Sequence, residues 1–255
     1  MDLKGTIAVV TGGASGLGES TVRNLVACGG RVAVLDFNAE RGAKLAGEFG
    51  KDVIFCLTDI TNKKSVQEAL AKTIESFGAV HVVVNCAGTA TPMKVIGKDG
   101  PMSIEKFNQV IQVNLVGTMN VVRLVAEQML KNEANEDGEK GVVINTASVA
   151  AFEGQVGQAA YASSKAGVVG LTLPIAREFA DYGIRIVTIA PGLFETPMMD
   201  GLPEKAKSAL SQMMPFPKRL GKPSEFAMLV RQIIENPMLN GETIRLDAAL
   251  RMAAR

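Results

Sequence analysis

What this sequence lacks narrows its chemistry first. It holds one histidine, His81, no Cys-x-x-Cys pair and no carboxylate cluster at ligand spacing. A zinc-centred mechanism and a serine–histidine hydrolase both require more than that, and His81, without an acidic or ligand partner nearby in sequence, reads as structural. Cysteines are few: Cys28, Cys56 and Cys86 lie inside or beside apolar runs, and their number is odd. They read as free thiols of a reducing compartment. The apolar start at 7–10 is too short for a signal segment and runs straight into Thr11-Gly12-Gly13, so the expected location is the cytoplasm, with an organelle matrix left open. No apolar run approaches the roughly 18 residues of a membrane span. An excess of either charge is missing too, with 27 Lys plus Arg against 26 Asp plus Glu. No sequence-wide field therefore draws the chain to nucleic acid or an anionic membrane, and a small-molecule partner is expected.

What is present is a regular alternation. Short β-branched apolar runs recur at 7–11, 31–36, 52–57, 80–85, 141–146, 184–190 and 242–246, and stretches with helical spacing fall at 18–28, 39–49, 63–77, 103–130, 159–181 and 224–235. Most of the strand runs are apolar at consecutive positions, as strands covered on both faces require. The pattern predicts an α/β fold: one doubly wound parallel sheet of about seven strands with helices on both faces, of Rossmann type. Repeats, low-complexity tracts and composition shifts are absent, so 1–255 is expected to be a single domain. Three segments break the rhythm. Those at 89–103 and 191–223 follow carboxyl ends of strands, where open α/β sheets bind ligands, and are the expected substrate loops. The acidic segment 131–140 precedes a strand and reads as a solvated connection.

The run Thr11-Gly12-Gly13-Ala14-Ser15-Gly16-Leu17-Gly18 ends the first strand and opens the first helix. Glycines there permit positive φ and let backbone N–H groups approach a pyrophosphate, which the helix amino terminus stabilises. Asp36, ending the second strand, is placed to accept both hydroxyls of an adenosine ribose and to repel a 2′-phosphate, or to act as a helix N-cap. No arginine or lysine stands at Ala14, Ser15 or Phe37 to receive that phosphate, so NAD is expected rather than NADP. Asp59-Ile60 and Asn85-Cys86-Ala87-Gly88 follow the third and fourth strands, as cofactor contacts or as ordinary turns.

Tyr161 and Lys165, at i and i+4 of a helical stretch, share a face. A phenol of pKa about 10 acting near neutrality must be lowered by roughly three units, about 4 kcal/mol. A neighbouring ammonium and a positively charged nicotinamide both act in that direction. Ser148, just beyond the fifth main strand, is either a hydroxyl partner for a substrate oxygen or a cap.

Together these motifs resemble the short-chain dehydrogenase/reductase family over the whole chain: the 11–18 turn, Asp36, Asp59, the 85–88 run, Asn114, Ser148, Tyr161-Ala162-Ser163-Ser164-Lys165 and Pro191-Gly192. The resemblance implies that Tyr161 is the general acid/base, that Ser148 polarises the substrate carbonyl, and that Lys165 binds the nicotinamide ribose and lowers the phenol pKa. It implies that Asn114 holds a water connecting Lys165 to solvent, that Pro191, Gly192, Phe194 and Thr196 flank the nicotinamide, that Gln155 and Gln158 join Ser148 and Tyr161 at the substrate, and that the molecule is a homotetramer. The stretches 148–155, 173–177, 189–194 and 239–247 resemble the branch of that family acting on L-3-hydroxyacyl-CoA thioesters. NAD-linked hydroxysteroid or 3-hydroxybutyrate oxidation, and a non-catalytic NAD-sensing or scaffold role, are the alternatives. The loop 89–103 and the segment 194–217, with the acidic Glu195 beside the nicotinamide region, depart most from that branch. Met198, Met199, Met213, Met214 and Phe216 offer either an apolar lid or core filling, and Lys205, Lys207, Lys218 and Arg219 either CoA phosphate contacts or a solvated face.

Replacing Asp36 with alanine is expected to relax the preference for NADH over NADPH, read as the ratio of the two kcat/KM values. A ratio that stays where it was rejects the ribose assignment.

Overall fold

In the computed structural model, which describes residues 1–197 and 210–254, the apolar runs become nine strands among the described residues. Seven, β1 (Ile7–Thr11), β2 (Arg31–Asp36), β3 (Val53–Leu57), β4 (Val82–Asn85), β7 (Gly141–Thr146), β8 (Ile184–Pro191) and β9 (Thr243–Leu246), form one sheet in the order β3-β2-β1-β4-β7-β8-β9. Every neighbouring pair is parallel. Parallel strands need crossovers, and α1 (Gly16–Ala27), α2 (Ala39–Phe49), α3 (Lys63–Phe77), α4 (Ile104–Ile111), α5 (Thr118–Met129), α6 (Ala159–Phe179) and α7 (Pro223–Glu235) supply them. This is the Rossmann-like α/β arrangement, with the strand order reversing between β1 and β4.

Alternate strand residues feed two cores. Val9, Ala33, Leu35, Val83 and Val143 join Leu70 of α3, Val121 and Val125 of α5 and Ile175 of α6. Ala8, Val10, Val34, Val84 and Ile144 join Val22 and Leu25 of α1, Leu45 of α2 and Phe226, Val230 and Ile233 of α7. Both faces being covered is why the strands lack a polar side.

Three departures from the sequence pattern have physical causes. The expected unbroken helix at 103–130 is interrupted by a π segment, Gln112–Gly117, centred on the buried Asn114, whose side-chain bonds lie outside the helix. The irregular 89–103 loop contains a small antiparallel hairpin, β5 (Ile96–Gly97) with β6 (Gly100–Pro101). The connection 131–140 is mostly exposed, as expected, except for Glu139, which is buried and accepts from Arg185 Nε at 2.8 Å. Arg185 also donates to the carbonyls of Ile233, Ile234, Asn236 and Leu239, closing the carboxyl end of α7. Removing one member of such a buried pair typically costs 3–5 kcal/mol, about the same as losing a core phenylalanine.

His81 has a structural place: its Nδ1 accepts from Ile7 N at 3.1 Å, a bond only the unprotonated nitrogen can make. Burial, and then Arg31, lower its pKa. The folded chain therefore resists a proton that the unfolded chain takes near pH 6.5. This contribution to stability is complete above about pH 6.5 and is lost as the pH falls through that value toward the lowered folded pKa. Thermal melts from pH 7.5 to 5 are expected to show Tm falling, and His81→Asn, which keeps an acceptor but does not titrate, to flatten the fall. Parallel curves for the two proteins reject this role.

Candidate active site

The β1–α1 turn is built for close approach. Gly12 has φ +62°, and a Cβ there would stand 2.7 Å from the Ala87 nitrogen; one on Gly18 would collide with the Gly12 carbonyl. Side chains are thereby excluded where β1, β4 and α1 meet. The N-cap of α1, Ser15, makes no side-chain capping bond, and the first N–H groups of Gly16, Leu17 and Gly18 find no side-chain acceptor among the described residues. That is the arrangement in which a helix amino terminus holds a phosphate. Asp36 is buried and lies across from this turn, Oδ2 accepting from Ala14 N at 3.0 Å and Oδ1 from Asn38 N at 2.9 Å. It is not the N-cap of α2, since Asn38 fills that position. Beside it the Phe37 ring is 83% exposed, an open stacking face at the carboxyl edge. These features fit a dinucleotide lying across the strand ends.

Other predicted contacts divide between site and scaffold. Asp59 is exposed, with Oδ1 accepting from the Thr61 nitrogen and hydroxyl, whereas Ile60 is buried against Gly117. The Asn85 side chain is engaged within the sheet: Nδ2 donates to Asn145 Oδ1 at 2.9 Å and Oδ1 accepts from Thr11 at 3.4 Å. Ala87 N donates to Thr11 Oγ1, and a Cβ on Gly88 would lie 3.3 Å from Asn114 Oδ1 and 3.6 Å from Lys165 Nζ. Gly88 thus borders the reacting centre.

That centre joins two elements. Ser148 follows β7, accepts from Ala150 N at 3.1 Å as the cap of the short turn 149–151, and lies close enough to the Tyr161 phenol to influence its ionisation. Tyr161 and Lys165 lie on one face of α6, with Nζ 5.8 Å from the ring centroid. Lys165 is 5% exposed and donates to the Thr146 carbonyl at 2.8 Å. Burial lowers its ammonium to about 8, opposed by the neighbouring Cys86. Cys86 is itself pushed up to about 11 by burial, opposed by the Thr146 hydroxyl and Lys165. Burial raises the Tyr161 phenol above its usual value, and the Ser148 hydrogen bond pulls the other way. In the protein alone, burial outweighs the pull of Ser148. Asn114 lies beside them, but its side chain is occupied: Oδ1 accepts from Thr89 N at 2.8 Å, and Nδ2 donates to Thr89 O at 2.9 Å and Ser164 Oγ at 3.0 Å. Ser164 in turn donates to the Tyr161 carbonyl. Ser164, Cys86 and the Thr146 carbonyl were not singled out from sequence as parts of this site. Only Ser164, on the buried side of the Tyr161–Lys165 turn, carried a helical-spacing signal.

Pro191 ends β8, and the Gly192 backbone lies against Asp247. Thr196 reaches the phosphate turn, its Cβ 3.5 Å from where a Cβ on Gly16 would stand. The Phe194 ring is instead buried in the core against Gly221. Gln155 and Gln158 line a groove of about 430 Å³ whose far wall is Met93–Ile96, next to Ala162. Of the apolar and basic residues weighed for an acyl-CoA, Met198, Met199, Lys205 and Lys207 lie outside the described residues. Met214 is core, Phe216 and Lys218 are exposed, and Arg219 is held by Glu225 at 2.6 and 2.8 Å.

A switch-point cradle for a dinucleotide beside a tyrosine, lysine and serine defines a nicotinamide-dependent oxidoreductase. A profile described as short chain dehydrogenase matches residues 6–207, and the chain belongs to that family. It is similar to 3-hydroxyacyl-CoA dehydrogenase type-2 of Homo sapiens, 54% identical over 98% of this chain and 97% of that one. Its fold matches the crystal structure of 3-hydroxyacyl-CoA dehydrogenase type-2 from Mycobacterium avium, with TM-score 0.95, 42% identity and 98% of both chains covered. The 3-ketoacyl-(acyl-carrier-protein) reductase from Brucella melitensis complexed with NADH matches with TM-score 0.88 at 25% identity, covering 98% of this chain and all of that one. NAD(H) is the cofactor.

In a spectrophotometric titration of the protein alone, one phenol is expected to ionise above pH 10, and that transition is expected to vanish in Tyr161→Phe. Saturation with NAD is expected to move it down, because the oxidised nicotinamide ring carries positive charge to the phenol. A Tyr161 transition at or below the ordinary tyrosine value in the protein alone rejects the dominance of burial.

Proposed function

We propose that this chain interconverts an L-3-hydroxyacyl-CoA and its 3-ketoacyl-CoA with NAD(H). The observation that carries it is the convergence of Ser148 and Lys165 on Tyr161, with Lys165 Nζ beside Gly88, in a chain with full-length likeness to proteins named for that activity. NAD(H), when bound, accepts or supplies the hydride. The chain's own groups manage the oxygen and its proton. Ser148 donates to the substrate oxygen and fixes its direction. In oxidation Tyr161 takes the hydroxyl proton, and in reduction its phenol returns it. Lys165, anchored by the Thr146 carbonyl, holds the nicotinamide ribose and adds positive charge beside the phenol. Asn114 positions this group by tying Thr89 to Ser164.

The whole chain, 1–255, acts as one catalytic domain, with 89–103 and 191–223 closing over the acyl part. Asp36, Phe37, Asp59 and the 12–18 turn hold the adenosine and pyrophosphate, and Pro191, Gly192 and Thr196 the nicotinamide side. The exposed face of α6, with Ala166, Gly170 and Leu173, supports a homotetramer built through α4–α5, α6 and β9. Three free thiols and the lack, among the described residues, of a helix long and apolar enough to cross a membrane support a reducing compartment, the cytoplasm or an organelle matrix.

With NADH as donor, acetoacetyl-CoA is expected to be reduced faster than steroid ketones or small ketones. Tyr161→Phe is expected to lower kcat by about 10²–10⁴ while NADH fluorescence titration stays unchanged. Unaltered turnover in that variant rejects the mechanism, and preference for a steroid ketone rejects the substrate. Sedimentation tests the tetramer.

A further inference from the structure

The residues after the last strand return to the turn that separates Ser148 from Tyr161. Arg245 of β9 is the hub. Its Nη1 and Nη2 donate to Glu153 Oε1 and Oε2 at 2.8 and 3.1 Å, its Nε to Asp247 at 2.7 Å, and Nη2 also to the Leu250 carbonyl at 3.0 Å. Its guanidinium lies 5.2 Å from the Phe152 ring centre. This two-pronged geometry is open to arginine and not to lysine. Glu153 also accepts from Met252 N at 3.1 Å, with Arg251 Nε 3.4 Å away. Further out, Gln155 Nε2 donates to the Ala253 carbonyl at 3.0 Å and Val156 N to the Ala254 carbonyl at 3.1 Å.

The path of the chain shows that these bonds dictate it. To reach Glu153 it reverses at Ala248 and Ala249, both left-handed at φ 50° and 62°, a region alanine avoids and keeps only when its surroundings enforce it. Asp247 enforces it, accepting from Ala249 N and Arg251 while its backbone packs on Gly192. On the other side, Gly154 sits against Ala162, so the tethered turn rests on the helical turn carrying Tyr161. The same residues, Gly154 to Ala159 with Ala162, form one wall of the groove. The strap therefore bears on the groove wall, away from the 12–18 turn and Asp36.

We propose that the segment Arg251–Ala254 is a strap that holds this wall in place through Glu153 and Gln155, and that Glu153 is a positioning residue governing substrate binding rather than dinucleotide binding. The proposal rests on the dehydrogenase function above for its kinetic consequence, but not for its structural one.

The test ends the chain after Arg251 and, separately, makes Glu153→Gln and Gln155→Ala in the full chain. Hydrogen exchange of the 150–158 amides is expected to quicken in all three, most in the truncation. KM for acetoacetyl-CoA is expected to rise about tenfold with kcat changed less and NADH affinity unchanged, the signature of lost substrate positioning. Unchanged exchange and KM in the truncation overturn the strap, as does an equal loss of NADH affinity, which marks general loosening. If the truncated chain does not fold, Glu153→Gln, which weakens the tether without touching the groove lining, decides by the same readouts. If the parent reduces no ketone with NADH, the proposed function fails, while exchange at 150–158 still judges the strap.

Discussion

The turns of the active-site edge hang from one row of the sheet. Parallel register places Thr11 opposite Asn85, Asn85 opposite Asn145 and Asn145 opposite Thr188. Asn85 bonds to both Thr11 and Asn145, while Thr188 meets Thr172 of α6 at 2.6 Å. All four are buried, where a polar group without a partner is costly, and the Asn85 side chain meets that demand on both sides while Asn145 Nδ2 finds no partner among the described residues. Because the strands are parallel, their carboxyl ends fall on one edge. The phosphate turn, the Cys86–Gly88 run, Ser148 and the Pro191–Gly192 turn all leave from just beyond this row.

The helices add what the sheet cannot. α6 aims Tyr161 and Lys165 at the edge, and the π segment turns Asn114 out of its helix so that it ties Thr89 to Ser164. The resulting pocket is dry enough that burial sets the direction of each shift: down for Lys165, up for Tyr161 and Cys86. A neutral, poised phenol is the consequence for the protein alone. The ammonium near 8 stays mostly charged at neutrality, and its positive field acts together with that of the cofactor. Desolvation thus ties proton chemistry to cofactor occupancy.

The rim follows a different rule. The 89–103 hairpin loop, the 152–158 turn and the carboxyl-terminal segment carry exposed side chains such as Val95, Ile96, Phe152 and Val156. They are held by a few hydrogen bonds and ion pairs instead of by a core. Such segments change sequence without disturbing the sheet, which is why loops of this kind commonly carry specificity in proteins.

Local rules were enough for much of this. Consecutive apolar runs announced buried parallel strands, glycines beside a strand end announced the tight β1–α1 turn, and i,i+4 spacing placed Tyr161 with Lys165. All of these depend on contacts within a few residues or on a periodic pattern, which a linear chain displays. What only the tertiary structure decided depends on partners far apart in the chain. Asn85 proved to be bonded within the sheet because Asn145 lies beside it, 60 residues on. Phe194 turned inward because Gly221 leaves room for its ring, and Glu139 was buried because the Arg185 guanidinium, itself buried over the end of α7, required a carboxylate. The interruption at Asn114 and the meeting of Glu153 with Arg245, 92 residues apart, have no local signature. Burial, which sets the protonation of Tyr161 and Lys165, exists only once the chain has folded around them.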